Sequence, residues 1–310
     1  MTNPLVSVII PNYNHARYLD ERIQSVLNQT YQNFEVIILD DCSPDNGASR
    51  AVIEHYRNNK HISHIVYNEQ NSGKIFSQWH KGFELAKGDL VWIAESDDKC
   101  EHTLLRTLVT EFERENELIL AFCKTNIFDD WGNISKSDPL PIKGRTFIYE
   151  GSTFISKEMS MGCPMLNASA CLFKKEVINK IEPLYMNFIG AGDRMFWTEV
   201  SEYGKIAVVN LWLNCMRSHP NNSTKRNYLQ GINQREDKLI LDYIYNRGYI
   251  SKKEKKKISY KYVRTYIYRY LTDPILKNDL YKYWEYGFWD KLMIKIKNNR
   301  ITDFIKKYGY

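Results

Sequence analysis

The sequence predicts an α/β fold with a mostly parallel central sheet, helices on both of its faces and a helical C-terminal extension. Three observations predict it. Short β-branched runs alternate with stretches whose apolar residues recur at helical spacing. Successive runs end in polar or acidic clusters, which places those clusters on one edge of the sheet. Beyond Asn227 the pattern becomes helical, polar and rich in tyrosine.

Residues 6–10 form the first run, closed by the turn Pro11-Asn12-Tyr13-Asn14. Leu19, Ile23, Val26 and Leu27 then mark a helix, with Asn14 or His15 near its cap. Residues 34–39 repeat the strand signature and end on Asp40-Asp41-Cys42-Ser43-Pro44-Asp45. Asp45 is placed to cap a second helix carrying Ala48, Val52, Ile53 and Tyr56. A third strand, 62–67, leads through Asn71-Ser72-Gly73-Lys74 to a helix with Trp79, Phe83 and Ala86, after which Gly88 stands where a C′ residue is expected. The fourth strand, 90–93, runs into Glu95-Ser96-Asp97-Asp98. A helix with Leu104, Leu105, Leu108 and Phe112 and a fifth strand at 118–122 follow.

From 124 to 165 the periodicity fails, and Pro139, Pro141, Gly144 and Gly151 indicate a long connection or small hairpin. A strand is expected within 166–173 and a short helix to Ile181. Gly190-Ala191-Gly192-Asp193 then opens a helix with Met195, Phe196 and Val200, and strands at 206–209 and 211–216 end at Arg217-Ser218-His219-Pro220. The expected division is 1–225 as a catalytic domain, with a ligand-binding half at 1–123 and a second half at 124–225, followed by a basic, Tyr-rich helical region at 226–310.

Composition bounds the partners. Hydrophobic residues make up 43% and charged residues 26% of 310, as in ordinary globular proteins. Of the net charge of +6, residues 251–310 contribute +10, from 16 Lys and Arg against 6 Asp and Glu, so the first 250 residues carry −4. Cations mixed with Tyr260, Tyr262, Tyr266, Trp284, Phe288, Trp289, Leu292 and Ile296 fit either a helical extension packed on the protein or peripheral contact with a membrane. No nucleic-acid-binding module is present, so no nucleic-acid partner is expected. Six cysteines without a CxxC pair point to reduced packing residues. The N-terminus has neither a basic n-region nor a long apolar run. The expected location is therefore the cytoplasm, at the inner face of the plasma membrane if the C-terminal region contacts lipid.

Adjacent carboxylates repel one another unless a cation or several donors compensate them, and hard divalent ions take oxygen ligands. Asp97-Asp98 alone would also fit a cap or turn. Paired with Asp40-Asp41 on the same predicted edge, it points to a metal or nucleotide site.

The stretches Ser7-Val8-Ile9-Ile10-Pro11-Asn12-Tyr13-Asn14, Leu19 with Ser25, Gln29 and Tyr31, 36–45, Asn71-Ser72-Gly73, Ala86-Lys87-Gly88-Asp89 and 95–98 resemble the family 2 glycosyltransferases in order and spacing. The resemblance covers about residues 4–220. It implies a glycosyltransferase A-type, Rossmann-like fold and a metal-dependent enzyme that moves a sugar with inversion. The implied donor is a nucleotide-sugar, a UDP-sugar foremost, and the acceptor a glycan or lipid-linked molecule of surface polysaccharide synthesis. On the donor side it implies Pro11, Asn12, Tyr13, Asp40, Asp41, Lys74 and Asp97. For Mn²⁺ or Mg²⁺ it implies Asp98 as the ligand, with Asp97 and His219 beside it.

Inverting displacement needs a carboxylate near the attacking hydroxyl, and Asp193 matches the family's base, although the same position could cap its helix. Gly192 departs from the acidic residue usual before that Asp. Glu95 stands for the commoner Asp, and Cys42 stands where Gly is usual. A sugar-nucleotide pyrophosphorylase would carry a Gly-rich basic loop after strand one, which Pro11-Asn12-Tyr13-Asn14 is not. A non-catalytic nucleotide- or glycan-binding protein is the remaining alternative.

Overall fold

The computed structural model describes residues 2–219 and 223–295. The chain divides into two compact units, Met1–Phe188 with Gly192–Asn221, and Ile189–Ala191 with Asn222–Tyr310. In the first unit the order is β1 (Val6–Asn12), α1 (Ala16–Leu27), β2 (Phe34–Asp40), α2 (Ala48–His55), β3 (Ile62–Tyr67), α3 (Ile75–Leu85), β4 (Leu90–Ile93) and β5 (Lys99–Cys100). There follow α4 (Leu104–Arg114), β6 (Leu118–Asp129), β7 (Ile134–Ser137), β8 (Thr146–Glu150), α5 (Gly151–Phe154), β9 (Cys171–Lys174), α6 (Gly192–Ser201) and β10 (Lys205–Ser218).

One sheet runs in the order β3-β2-β1-β4-β9-β6-β10-β5, with β7 on β6 and β8 on β10. The expected α/β architecture is present, and its parallel part is β3-β2-β1-β4. Past β4 the sheet is mixed. Residues 167–170 lie beside the end of β4, so β9 enters from that edge and runs antiparallel to both β4 and β6. β10 joins the two separately expected strands into one. It is parallel to β6, and register shifts at Val209/Trp212 and Trp212/Asn214 account for the break in its pattern.

Every residue of β1, β2 and β4 is buried. Each large aliphatic residue there contributes about 1.5–3 kcal/mol by leaving water. Pro11 survives in this central strand because of its side. The Ile9 carbonyl accepts from Ala94 N–H and the Asn12 carbonyl from Asp41 N–H, so by alternation Pro11 faces the flank where β4 has ended. No ladder donor is needed there. Asp45 does anchor the start of α2, accepting from Ser49 N–H at 2.9 Å, with Gly47 in the left-handed region at φ 84°.

Gly88 has a different role from the expected C′ residue. The cap of α3 is Ala86 in extended backbone, and Gly88 is pressed against β1. Its N–H donates to Ser7 Oγ at 2.8 Å, and a Cβ there would meet Leu5 O and Ser7 N at 2.6 Å and Leu90 O at 2.9 Å.

In the second unit α7 (Ser223–Leu229), α8 (Ile232–Asn246), α9 (Lys252–Tyr262) and α10 (Pro274–Tyr283) pack through aromatic residues. Tyr262 stacks on Trp284 with centroids 4.6 Å apart, and Trp284 Nε1 donates to Gln234 O at 2.9 Å. Ser251 and Glu254 form a capping box at the start of α9. Phe288, Trp289, Leu292 and Met293 are exposed. Ile296 and the rest of 296–310 lie outside the described residues, as does Pro220. Among the described residues no helix is long and apolar enough to cross a membrane.

Because all three atoms facing Gly88 are backbone, Gly88→Ala is expected to cost about 1–3 kcal/mol or more. Urea unfolding would show this as a lowered midpoint at unchanged slope.

Candidate functional site

In-register pairing sets Asn12 opposite Asp40, and Ile9 opposite Ile93, so the segments after β1, β2 and β4 emerge on one edge. The chain builds β1, β2 and β3 in one direction and then adds β4 on the other flank of β1. Such a switch point leaves a crevice at the carboxyl ends of the strands.

The acidic end of β4 is held from two directions. Arg22, fully buried on α1, donates through Nε to Glu95 O at 2.8 Å and through Nη2 to Ser169 Oγ at 2.7 Å. The same Nη2 lies 3.8 Å from Asp98 Oδ2. From β10, Arg217 donates its backbone N–H to Asp98 Oδ1 at 3.0 Å and its Nε to Asp97 O at 3.0 Å. Its Nη1 reaches Asp130 Oδ1 at 2.8 Å and its Nη2 pairs with Glu21. Asn167 Nδ2 also donates to Asp98 Oδ2, and Asn214 Nδ2 holds Asn167 Oδ1 at 2.8 Å.

Asp98 is thus 2% exposed with both oxygens engaged by the protein. Burial and then the charge of Asp97 push its pKa up to about 7. The resemblance implies Asp98 as a metal ligand; here protein donors meet both of its oxygens. Ser96 and Asp97 lie in a turn closed by Asp98 N–H on Glu95 O at 3.2 Å, and from that turn Asp98 points inward. Glu95 is held well above the usual carboxylate range by burial, then by the charges of Asp98, Asp97 and Asp193.

Asp97 points the other way. His219 Nε2 lies 3.0 Å from Asp97 Oδ2, and one ligand atom from each of His15, Asp97 and His219 falls within 4.8 Å of the others. Burial acts to raise the Asp97 pKa, but the His219 hydrogen bond and the charge of His15 outweigh it and the pKa is lowered. His15 is itself lowered by burial, against the charge of Asp97, and its Nδ1 lies 2.9 Å from Ser96 Oγ. Two imidazoles and one carboxylate suit Mn²⁺ better than Mg²⁺.

On the flank nearer β2, Asp40 accepts from Asn12 Nδ2 at 2.7 Å and from Ser43 Oγ at 2.6 Å. Asp41 accepts from Asn68 Nδ2, Ser72 Oγ and Gln78 Nε2 at 2.6–2.9 Å. These carboxylates, 6% and 5% exposed, bind the edge loops together. Pro11 is buried, Tyr13 is 44% exposed, and Lys74 is exposed at the N-cap of α3. Cys42 occupies the left-handed region at φ 58°, which explains why Gly suits this position. His80 lies 3.2 Å from the Tyr185 hydroxyl.

Asp193 stands in the first turn of α6, half-buried, its Oδ1 accepting from Arg194 N–H at 2.7 Å. Its charge acts on Glu95, which sets it near the acidic end of β4. Buried Arg194 anchors this turn, its Nη2 donating to Met159 O at 2.6 Å. A Cβ on Gly192 would run into the Phe76 ring, with Cζ at 2.6 Å, so Phe76 fills the space of the acidic residue usual before this Asp.

The structure therefore brings together Asp97, Asp98 and His219, with the charge of Asp193 felt at Glu95, while Asp40 and Asp41 lie along the edge. Sequence reasoning missed Arg22, Arg217 and Asn167, and noted His15 only as a cap. Arg22 had a signal: it adjoins Ile23 on the apolar stripe with Leu19 and Val26, where a charge needs a partner.

Comparison with known proteins identifies the class. The profile of glycosyl transferase family 2 matches residues 7–181, more than half of the chain, and the chain belongs to that family. It is 39% identical over 124 residues to Bacillus subtilis TuaG, named as a glycosyltransferase of teichuronic acid biosynthesis, covering 39% of this chain and 48% of TuaG. It is 27% identical over 274 residues to TarP of Staphylococcus aureus, a poly(ribitol-phosphate) β-N-acetylglucosaminyltransferase, covering 81% of this chain and 75% of TarP. The chain thus spans about half the length of TuaG. It shares its fold with S. aureus TarS 1–349, solved in complex with UDP-GlcNAc, at a TM-score of 0.65 and 19% identity over 86% of this chain and 73% of that one.

The raised Asp98 pKa has a sign that can be tested. The folded chain binds this proton more tightly than the unfolded chain, whose Asp titrates near 3.8. The group's contribution to stability is therefore full below about pH 4 and is lost as pH rises towards about 7. Asp98→Asn removes that loss. In metal-free urea unfolding its stability relative to wild type should rise between pH 4 and pH 7.

Proposed function

We propose that the chain is a metal-assisted, inverting glycosyltransferase of cell-surface polysaccharide synthesis. It moves a sugar from a nucleotide-sugar, a UDP-sugar first, to a hydroxyl of a glycan or lipid-linked acceptor. The observation that carries this reading is the meeting of His15, Asp97 and His219 at the carboxyl edge, with Asp193 near the same acidic strand end. The names of TuaG and TarP and the UDP-GlcNAc complex of TarS support the substrate classes.

In this proposal Asp97, His219 and His15 would hold Mn²⁺, and Asp98 would hold the β4–β10 corner. The ion supplies Lewis-acid charge for the leaving diphosphate. Asp193 accepts the proton of the acceptor hydroxyl as its oxygen bonds to the anomeric carbon. The bond from that carbon to the diphosphate oxygen breaks on the opposite face, and its electron pair leaves with the nucleotide. Tyr13, exposed beside Asn12 and Pro11, offers a face for the base. Asp40 and Asp41 shape the base-side loops, and Lys74 adds a cation at their rim. Catalysis falls within residues 1–225. The exposed Phe288, Trp289, Leu292 and Met293, set among lysines of the 226–310 region, favour peripheral contact with anionic lipid at the cytoplasmic face of the membrane.

Asp193→Asn is expected to lower transfer by about 10²–10⁴-fold while keeping UDP binding. Full activity in that variant would remove the base assignment. UDP should raise the thermal midpoint more with Mn²⁺ than without it, by mass action, and Asp97→Ala or His219→Ala should abolish the Mn²⁺-dependent part. Equal stabilisation with and without metal in the wild type would overturn the metal reading.

A further inference from the structure

Three consecutive backbone amides, those of Ile189, Gly190 and Ala191, donate to one carboxylate, Glu236 of α8, at 2.6, 2.9 and 2.6 Å. A concave run of N–H groups is an anion site, and here the chain supplies the anion itself. Glu236 is 8% exposed, a burial that a carboxylate tolerates when its oxygens receive such donors. The turn is also crowded by side chains of the same unit. A Cβ on Gly190 would meet Asn233 Oδ1, and Asn227 Nδ2 at 3.0 Å, and both asparagines are buried.

The chain continues directly from Ala191 through Gly192 to Asp193. On its far side Arg194 is fixed to the carbonyl of Met159. Asp193 is therefore carried on a short stretch fastened before and after it. A general base works only within hydrogen-bond reach of the proton it takes, and a displacement of about 1 Å can cost about a hundredfold in rate.

We infer that Glu236 is a positioning residue for Asp193. It sets the backbone that presents the base, acting through residues 189–193 of the chain. The inference rests on the reading of Asp193 as the base.

The test compares Glu236→Gln and Glu236→Ala with Asp193→Asn and with the double variants. Gln keeps the size of the side chain but turns an NH₂ group towards the amides. Release of UDP from UDP-GlcNAc, with water as acceptor, gives kcat and KM separately. UDP affinity with Mn²⁺ and thermal midpoints are measured on the same proteins. Glu236→Gln should lower kcat by about tenfold to a hundredfold, with KM and UDP affinity within about twofold. Added to Asp193→Asn it should lower kcat no further. A wild-type kcat in Glu236→Gln, or losses that multiply in the double variant, would overturn the inference and leave an inactive Asp193→Asn still supporting the base. A fully active Asp193→Asn would overturn the base reading and this inference together. If Glu236→Ala does not fold, the isosteric Gln variant carries the comparison.

Discussion

Three acidic side chains crowded at the end of one buried strand are the constraint on which the rest of the structure depends. Glu95, Asp97 and Asp98 could not share that space as three bare charges. Arg22 from α1 and Arg217 from β10 make the arrangement tolerable, one wholly buried and the other clamped between Asp97, Asp98, Asp130 and Glu21. Their planar, forked guanidinium groups each serve several oxygens in a fixed geometry, where a lysine would present a single point charge. The first helix and the last strand of the sheet are thereby tied to the same four residues. The site and the edge of the sheet are one piece of construction.

The environment separates acids that look alike on paper. Asp97 keeps its charge beside two imidazoles, while Asp98 turns inward to amide and guanidinium donors, with a pKa pushed up to about 7. Glu95 is held towards its neutral form, which relieves repulsion close to Asp193. Separated protonation states of this kind let neighbouring carboxyl groups take different roles.

The parallel half of the fold was legible because β1, β2 and β4 are short apolar runs ending in polar turns, and the start of α6 at Gly192 followed from its Gly-rich lead. β9 was harder to place. Four residues behind a 3₁₀ turn carry too little pattern to fix direction, and its orientation depends on Asn167 arriving beside Asp98. The different fates of Asp97 and Asp98 were also out of reach. The inward Asp98 is met by the Arg217 backbone N–H and the Asn167 amide, donors from residues far along the sequence that no local pattern announces. Arg22 was readable as a charge beside an apolar stripe, but its partner was not.

Phe76 and Gly192 occupy one volume between them. An acidic residue cannot enter at 192 while the ring remains, and shrinking the ring first would open a void in a packed interior. The two positions are therefore coupled through one volume, and substitutions at 76 and 192 are expected to be non-additive.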